Sequence, residues 1–117
     1  CMQQIKRGDI IMMKFNGKES VQNGYRPALI VQNDIGNKYS PTTIVVPLTS
    51  ELKKVNQPTH EIIKTEDTNG LKLDSMALCE QIVTISKSSI VKKIGEITNG
   101  STMNNISKAC LISLDLA

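Results

Sequence analysis

A chain of 117 residues, 39% of them apolar, is long enough for one hydrophobic core and too short for two domains. It has no Trp and only two Tyr and one Phe, so Ile, Val, Leu and Met must fill the interior. A net charge of +3 with 21% charged residues permits a nucleic-acid partner without requiring one.

Cys1, Cys79 and Cys110 are odd in number, widely spaced and without a C-x-x-C, so neither a disulfide framework nor a zinc site is indicated. No apolar run reaches the length of a membrane span, and no secretory signal is visible. The expectation is a reduced, cytoplasmic protein. Cys1 stands before Met2, and that order alone makes Met2 the expected start and Cys1 an expression scar.

Residues 9–15 are β-formers with Ile11, Met13 and Phe15 on one face, following Arg7-Gly8. Residues 16–25 are polar and punctuated by Gly17 and Gly24, which predicts a loop longer than a hairpin needs, and long loops often carry function. Residues 27–32 read as a continuous apolar strand, 33–37 as a turn closed by Ser40-Pro41, and 43–48 as the returning strand. Pro47 inside that strand predicts a sheet edge or a bulge. Residues 51–58 form a charged connector with room for one helical turn, 60–65 a strand, 66–74 a polar turn region around Asn69-Gly70, and 76–85 a long β-rich run. Residues 86–89 suit one helical turn and 90–98 a last strand.

After Asn99-Gly100 the period changes. Ser101 is a good N-cap, and Met103, Ile106, Cys110 and Leu114 recur at helical spacing, with Ala109 and Leu111 beside them. The expected fold class is therefore mainly β (α+β): a small, strongly bent antiparallel sheet or barrel with a C-terminal amphipathic helix of about 12 residues packed on it.

The chemistry is found by elimination. His60 is the one histidine and has no carboxylate cluster at ligand spacing, so it reads as structural. No Gly-rich phosphate loop, H-E-x-x-H or G-x-S-x-G is present, which argues against metal-assisted or triad hydrolysis. Arg26 is one of two arginines and begins the hairpin that Thr49 ends. A guanidinium fork binds two phosphate oxygens and keeps its charge, and a threonine hydroxyl adds a hydrogen bond. In RNA the 2′-hydroxyl already sits beside the phosphate, so alignment and stabilisation of a dianionic phosphorane suffice for cleavage. Spacing alone does not establish this, because an arginine before a strand is more often a surface residue.

A family pattern runs through the chain: K-R-G-D-I at 6–10, Y-R-P-A-L-I-V-Q-N-D-I-G-N-K-Y-S-P-T at 25–42, I-V-V-P-L-T-S at 44–50, P-T-H at 58–60 and E-Q-I at 80–82. In this order the blocks resemble the MazF/PemK toxins, the RNA-cleaving halves of toxin–antitoxin pairs. The resemblance implies one toxin domain over residues 1–117, an SH3-like barrel of the MazF/PemK/CcdB type, and a homodimer. It also implies sequence-specific, metal- and cofactor-independent cleavage of single-stranded RNA, leaving a 2′,3′-cyclic phosphate and a 5′-hydroxyl. Its partners would be the RNA and a MazE-like antitoxin whose acidic, hydrophobic tail blocks the RNA groove.

By position the family's catalytic pair falls on Arg26 and Thr49. Ser20 matches a family serine near the scissile phosphate, with a solvated loop residue as the alternative. Gln81 would read a base edge or serve strand pairing. Tyr25 would stack on a base or act as a core or hinge residue. Lys18, with Lys14, Lys53 and Lys54, would attract a polyanion or simply solvate the surface. Asn33 and Asp34 look catalytic by residue type, but the expectation is that they shape the turn.

Three features depart from the family. The chain has E-S-V-Q-N-G at 19–24 where G-S-E-Q-x-G is common, Val83 where a basic residue usually follows E-Q-I, and Lys108 with Asn104-Asn105 in a usually more acidic helix. The loss of one phosphate contact at Val83 would weaken RNA binding and flatten its salt dependence. Two competing functions share the fold. A gyrase-poisoning toxin relies on a Trp-containing tail, and this chain has no Trp. A non-catalytic SH3-like binding module is the other.

Overall fold

The computed structural model describes residues 4–15, 24–52 and 56–117. Among the described residues eight strands and two α-helices follow one another: β1 Asp9–Phe15, β2 Gly24–Ile30, α1 Asp34–Tyr39, β3 Thr42–Thr49, β4 His60–Ile63, β5 Thr68–Asn69, β6 Ser75–Leu78, β7 Val83–Ser86, β8 Ile90–Ile97 and α2 Gly100–Ser113. Every strand pairing is antiparallel. β8, β1, β2, β3 and β7 are successive neighbours, and a 3-10 turn at Lys87–Ser89 leads β7 directly into β8. The ribbon thus curls into a nearly closed SH3-like barrel. β4 and β6 extend it as a flap beyond the end of β3, and β5 adds to the free edge of β8.

Period-two alternation explains the packing. Ile11, Met13, Ala28, Ile30, Val45 and Ile90 fill the barrel interior, with Ile5 at one end. Their neighbours Ile10, Leu29, Val46 and Leu48 face the other way, into a second cluster with Ile63, Ala77, Cys79, Ile106 and Ala109. The central strands are therefore apolar on both faces, and the single core expected from chain length is two clusters sharing one sheet. Cys79 and Cys110 are free thiols in or beside the second cluster.

Several sequence expectations shift. The turn at 33–37 is α1, capped by Asn33, whose side chain accepts from the Gly36 amide at 2.8 Å. Asn37 is buried and holds this corner: Nδ2 donates to the Gln32 carbonyl at 2.9 Å, and Oδ1 accepts from Thr43 Oγ1 at 2.7 Å. Pro47 lies in a central strand, opposite Ala28. It falls where β3 changes its other partner from β7, paired through Val45, to β6, paired from Leu48. The missing amide marks that switch rather than an edge. The run at 76–85 is broken by a 3-10 turn at Cys79–Gln81, because β6 and β7 belong to different parts of the sheet.

The polar region at 66–74 contains β5, and no helical turn forms at Glu51 or Leu52. The cap of α2 is Asn99, not Ser101: Asn99 Oδ1 accepts from the Ser101 amide at 2.9 Å. Thr102, Ile106 and Ala109 make the buried stripe of that helix, while Leu111 and Leu114 are exposed. No helix among the described residues is long and apolar enough to cross a membrane.

Candidate active site

The β2–β3 ladder pairs Ala28 with Pro47, Leu29 with Val46 and Ile30 with Val45. Arg26 lies two residues before the last pair on β2 and Thr49 two residues beyond it on β3, where Thr49 pairs with Met76 of β6. Arg26 and Thr49 both line one groove of about 620 Å³. Its apolar lining is Met12, Pro27, Leu48, Leu71, Leu73 and Ile94. Its rim carries Arg26, Thr49, Ser50, Lys72, Lys92 and Lys93, and no carboxylate occurs among the described residues that line it. A positive rim beside an apolar lining suits a ligand with anionic linkages and flat, weakly polar faces.

Thr49 Oγ1 accepts from the Glu51 amide at 3.1 Å, which orients the hydroxyl and leaves its proton to donate. Arg26 is half-buried at the start of β2. The other arginine, Arg7, is structural. It donates to the Val31 carbonyl and to Ser107 Oγ, tying the start of β1 to α2. Its amide also donates to Asp34 Oδ1 at 2.7 Å. That bond, with a second from Asn37 and the Lys6 and Arg7 charges, holds the Asp34 carboxyl below its usual range despite some desolvation. Asn33 and Asp34 are thus a cap and an anchor, as turn-shaping residues should be.

Tyr25 and Gln81 are exposed but do not line the groove. Gln81 ends the 3-10 turn of the E-Q-I block, and Val83, also exposed, pairs with Val45. Lys14 is exposed, whereas Lys18, Ser20, Lys53 and Lys54 lie outside the described residues. His60 is anchored: its Nε2 lies 2.9 Å from Glu80 Oε2, joining β4 to that turn. Burial works against the Glu80 charge, but hydrogen bonds from His60, from its own amide and from Thr59 bring its carboxyl below the usual range. Sequence reading missed Ser50, Lys72 and Lys92 as groove residues. Only the three-dimensional return of β8 and of the segment after β5 brings the lysines to Arg26.

The class defined here is a small SH3-like barrel with a cation-lined groove that includes Arg26 and Thr49. The chain matches the family model for the PemK-like, MazF-like toxin of type II toxin–antitoxin systems over residues 6–114, and it belongs to that family. It is 40% identical over 115 residues to Endoribonuclease EndoA of Bacillus subtilis (strain 168), covering 96% of each chain. Its fold is similar to that of an endoribonuclease from a mycobacterial species, with a TM-score of 0.78 and 23% identity over 98% of this chain and 95% of that one. It is also similar to an endoribonuclease in complex with its cognate antitoxin, again mycobacterial, with a TM-score of 0.74 and 24% identity over 99% and 98%. A MazE–MazF structure from Deinococcus radiodurans gives a TM-score of 0.78 at 16% identity over 98% and 99%.

Proposed function

We propose that the protein is an endoribonuclease, the toxin of a type II pair, which cuts single-stranded RNA at specific sites without a metal or other cofactor. What supports this reading is one groove lined by Arg26, Thr49 and three lysines, with no carboxylate among the described residues that line it. The 2′-oxygen bonds to phosphorus, the bond from phosphorus to the 5′-oxygen breaks, and a 2′,3′-cyclic phosphate and a 5′-hydroxyl result. A proton leaves the 2′-hydroxyl and one is returned to the 5′-oxygen. Arg26 holds two non-bridging oxygens as their charge grows, and Thr49 donates a further hydrogen bond. A guanidinium is a poor base, so its first role here is charge stabilisation.

The remaining assignments follow the same reading. The chain acts as one toxin domain over residues 1–117, as a homodimer, in the cytoplasm. Its antitoxin, like that in the mycobacterial complex, is a cognate protein, and it silences the toxin by occupying the groove. Ser20 contacts RNA near the scissile phosphate, and Lys18, Tyr25 and Gln81 contact it elsewhere; Tyr25 and Gln81 are exposed as that requires.

The test is incubation with a mixed RNA in EDTA, with the new ends mapped. Cyclic-phosphate and 5′-hydroxyl ends are expected. Thr49→Ala should lose about 10² to 10³ in rate and Arg26→Ala at least as much. Undiminished cutting by both variants, or cutting at a 2′-deoxyribose, would remove the assignment.

A further inference from the structure

The groove holds more positive charge than one scissile phosphate needs. Lys93 is committed elsewhere, with its Nζ 3.3 Å from both Asp9 Oδ1 and Glu96 Oε1. Lys72 and Lys92 remain. Both are exposed and line the groove with Arg26.

Their placement is built into the backbone. Lys92 on β8 pairs with Met12 on β1, which pairs with Pro27 on β2, the residue after Arg26. Two strand spacings separate Lys92 from Pro27, about 10 Å. Lys92 thus stands in a cross-strand row with Met12 and Pro27, and that row lines the groove that Arg26 also lines. Lys72 is brought to the same wall by a clamp between two glycines. Gly70 has φ +105°, and a Cβ there would lie 2.3 Å from the Ile94 carbonyl oxygen. A Cβ on Gly95 would lie 2.4 Å from the Asn69 carbonyl oxygen. The turn carrying Lys72 therefore sits directly on the strand carrying Lys92.

We propose that Lys72 and Lys92 form a second phosphate subsite, which binds the phosphate of a nucleotide flanking the cut and so positions the RNA strand over Arg26 and Thr49. This rests on the nuclease reading above and adds two positioning residues to it. The apolar lining between the two cationic walls favours RNA over an acidic peptide. A base can lie on Met12, Leu71 and Ile94 while its two phosphates meet the walls, as in other single-strand grooves.

The test uses a randomised single-stranded oligodeoxynucleotide, which binds without being cut because it lacks the 2′-hydroxyl. Plotted as log affinity against log salt, the wild-type slope should become shallower by about 0.7 in the double variant, the loss of one phosphate contact, and by part of that in Lys72→Ala and in Lys92→Ala. On the RNA pool, KM should rise several-fold while kcat is kept, and Lys92→Arg should restore KM. Thermal melts of all variants confirm folding. An unchanged slope and KM in a double variant that still cuts RNA overturns the subsite alone. A wild type that cuts no RNA overturns the nuclease reading instead. Loss of binding to poly-glutamate, with oligodeoxynucleotide binding intact, overturns the subsite in favour of an acidic peptide.

Discussion

Gly70 shows how much one missing side chain can fix. Its positive φ belongs to the region that L side chains rarely adopt, and the atom that a Cβ would strike is a strand carbonyl that cannot swing away. Gly70→Ala should cost about 2 kcal/mol or more, from backbone strain and the clash together. Gly100 is the opposite case. It begins α2, no atom lies within 4 Å of the position a Cβ would take, and its φ is ordinary. Gly100→Ala should stabilise by about 0.4–1 kcal/mol, mainly by restricting the unfolded chain. Urea midpoints at constant m decide both. Equal midpoints for the two variants would show that the turn after β5 yields, and would loosen the placement of Lys72.

At the scale of elements, the join between β4 and the 3-10 turn at Cys79–Gln81 depends on His60 and Glu80. The folded Glu80 carboxyl is more acidic than its ordinary value of 4.5. Its charge therefore favours the fold above that value, and the contribution is lost as pH falls through the lower, folded value. Glu61 opposes it: burial raises its carboxyl, though Asn105 offsets part of this, so protonation of Glu61 favours the fold. The difference between wild type and Glu80→Gln isolates the first effect. At neutral pH the variant should be less stable by about 1 kcal/mol or less, as for a partly exposed pair. The gap should close below pH 4.5, read from urea midpoints down a pH series. A gap that widened in acid would contradict the sign.

The elements also show what the sequence made legible. Strands 9–15 and 90–97 and the turn at 87–89 were readable from β-former runs and flanking polar residues. The antiparallel pairing of the two apolar runs that follow Arg26 and precede Thr49 was readable because those runs leave little choice of register. The change of partner at Pro47, the break at Cys79–Gln81 and the two-residue β5 were not. Each depends on which strand arrives from elsewhere in the chain, and a local pattern carries no such information. The cap of α2 was missed by two residues because Asn99 is also held by Asp67, 2.9 Å from its Nδ2, a contact across 32 positions.

The whole molecule is held by a sheet used on both faces. β1, β2 and β3 contribute Ile11, Ile30 and Val45 to the barrel interior, and Ile10, Leu29 and Val46 to the layer under α2. Neither cluster can come apart without exposing residues adjacent to the other, so the barrel and α2 should unfold as one unit. Ile30→Ala, inside the barrel, and Ile106→Ala, under α2, each remove a fully buried side chain and should each cost about 2–5 kcal/mol. That is a large share of the roughly 5–15 kcal/mol such a domain has to lose. Amide hydrogen exchange gives the decisive readout. In either variant the slowest amides of α2 and of β2 should lose protection by the same free energy. If Ile106→Ala released α2 alone and left β2 at its wild-type protection, the helix would be a separate unit docked on a self-sufficient barrel. In that event the shared strands would not couple the two clusters.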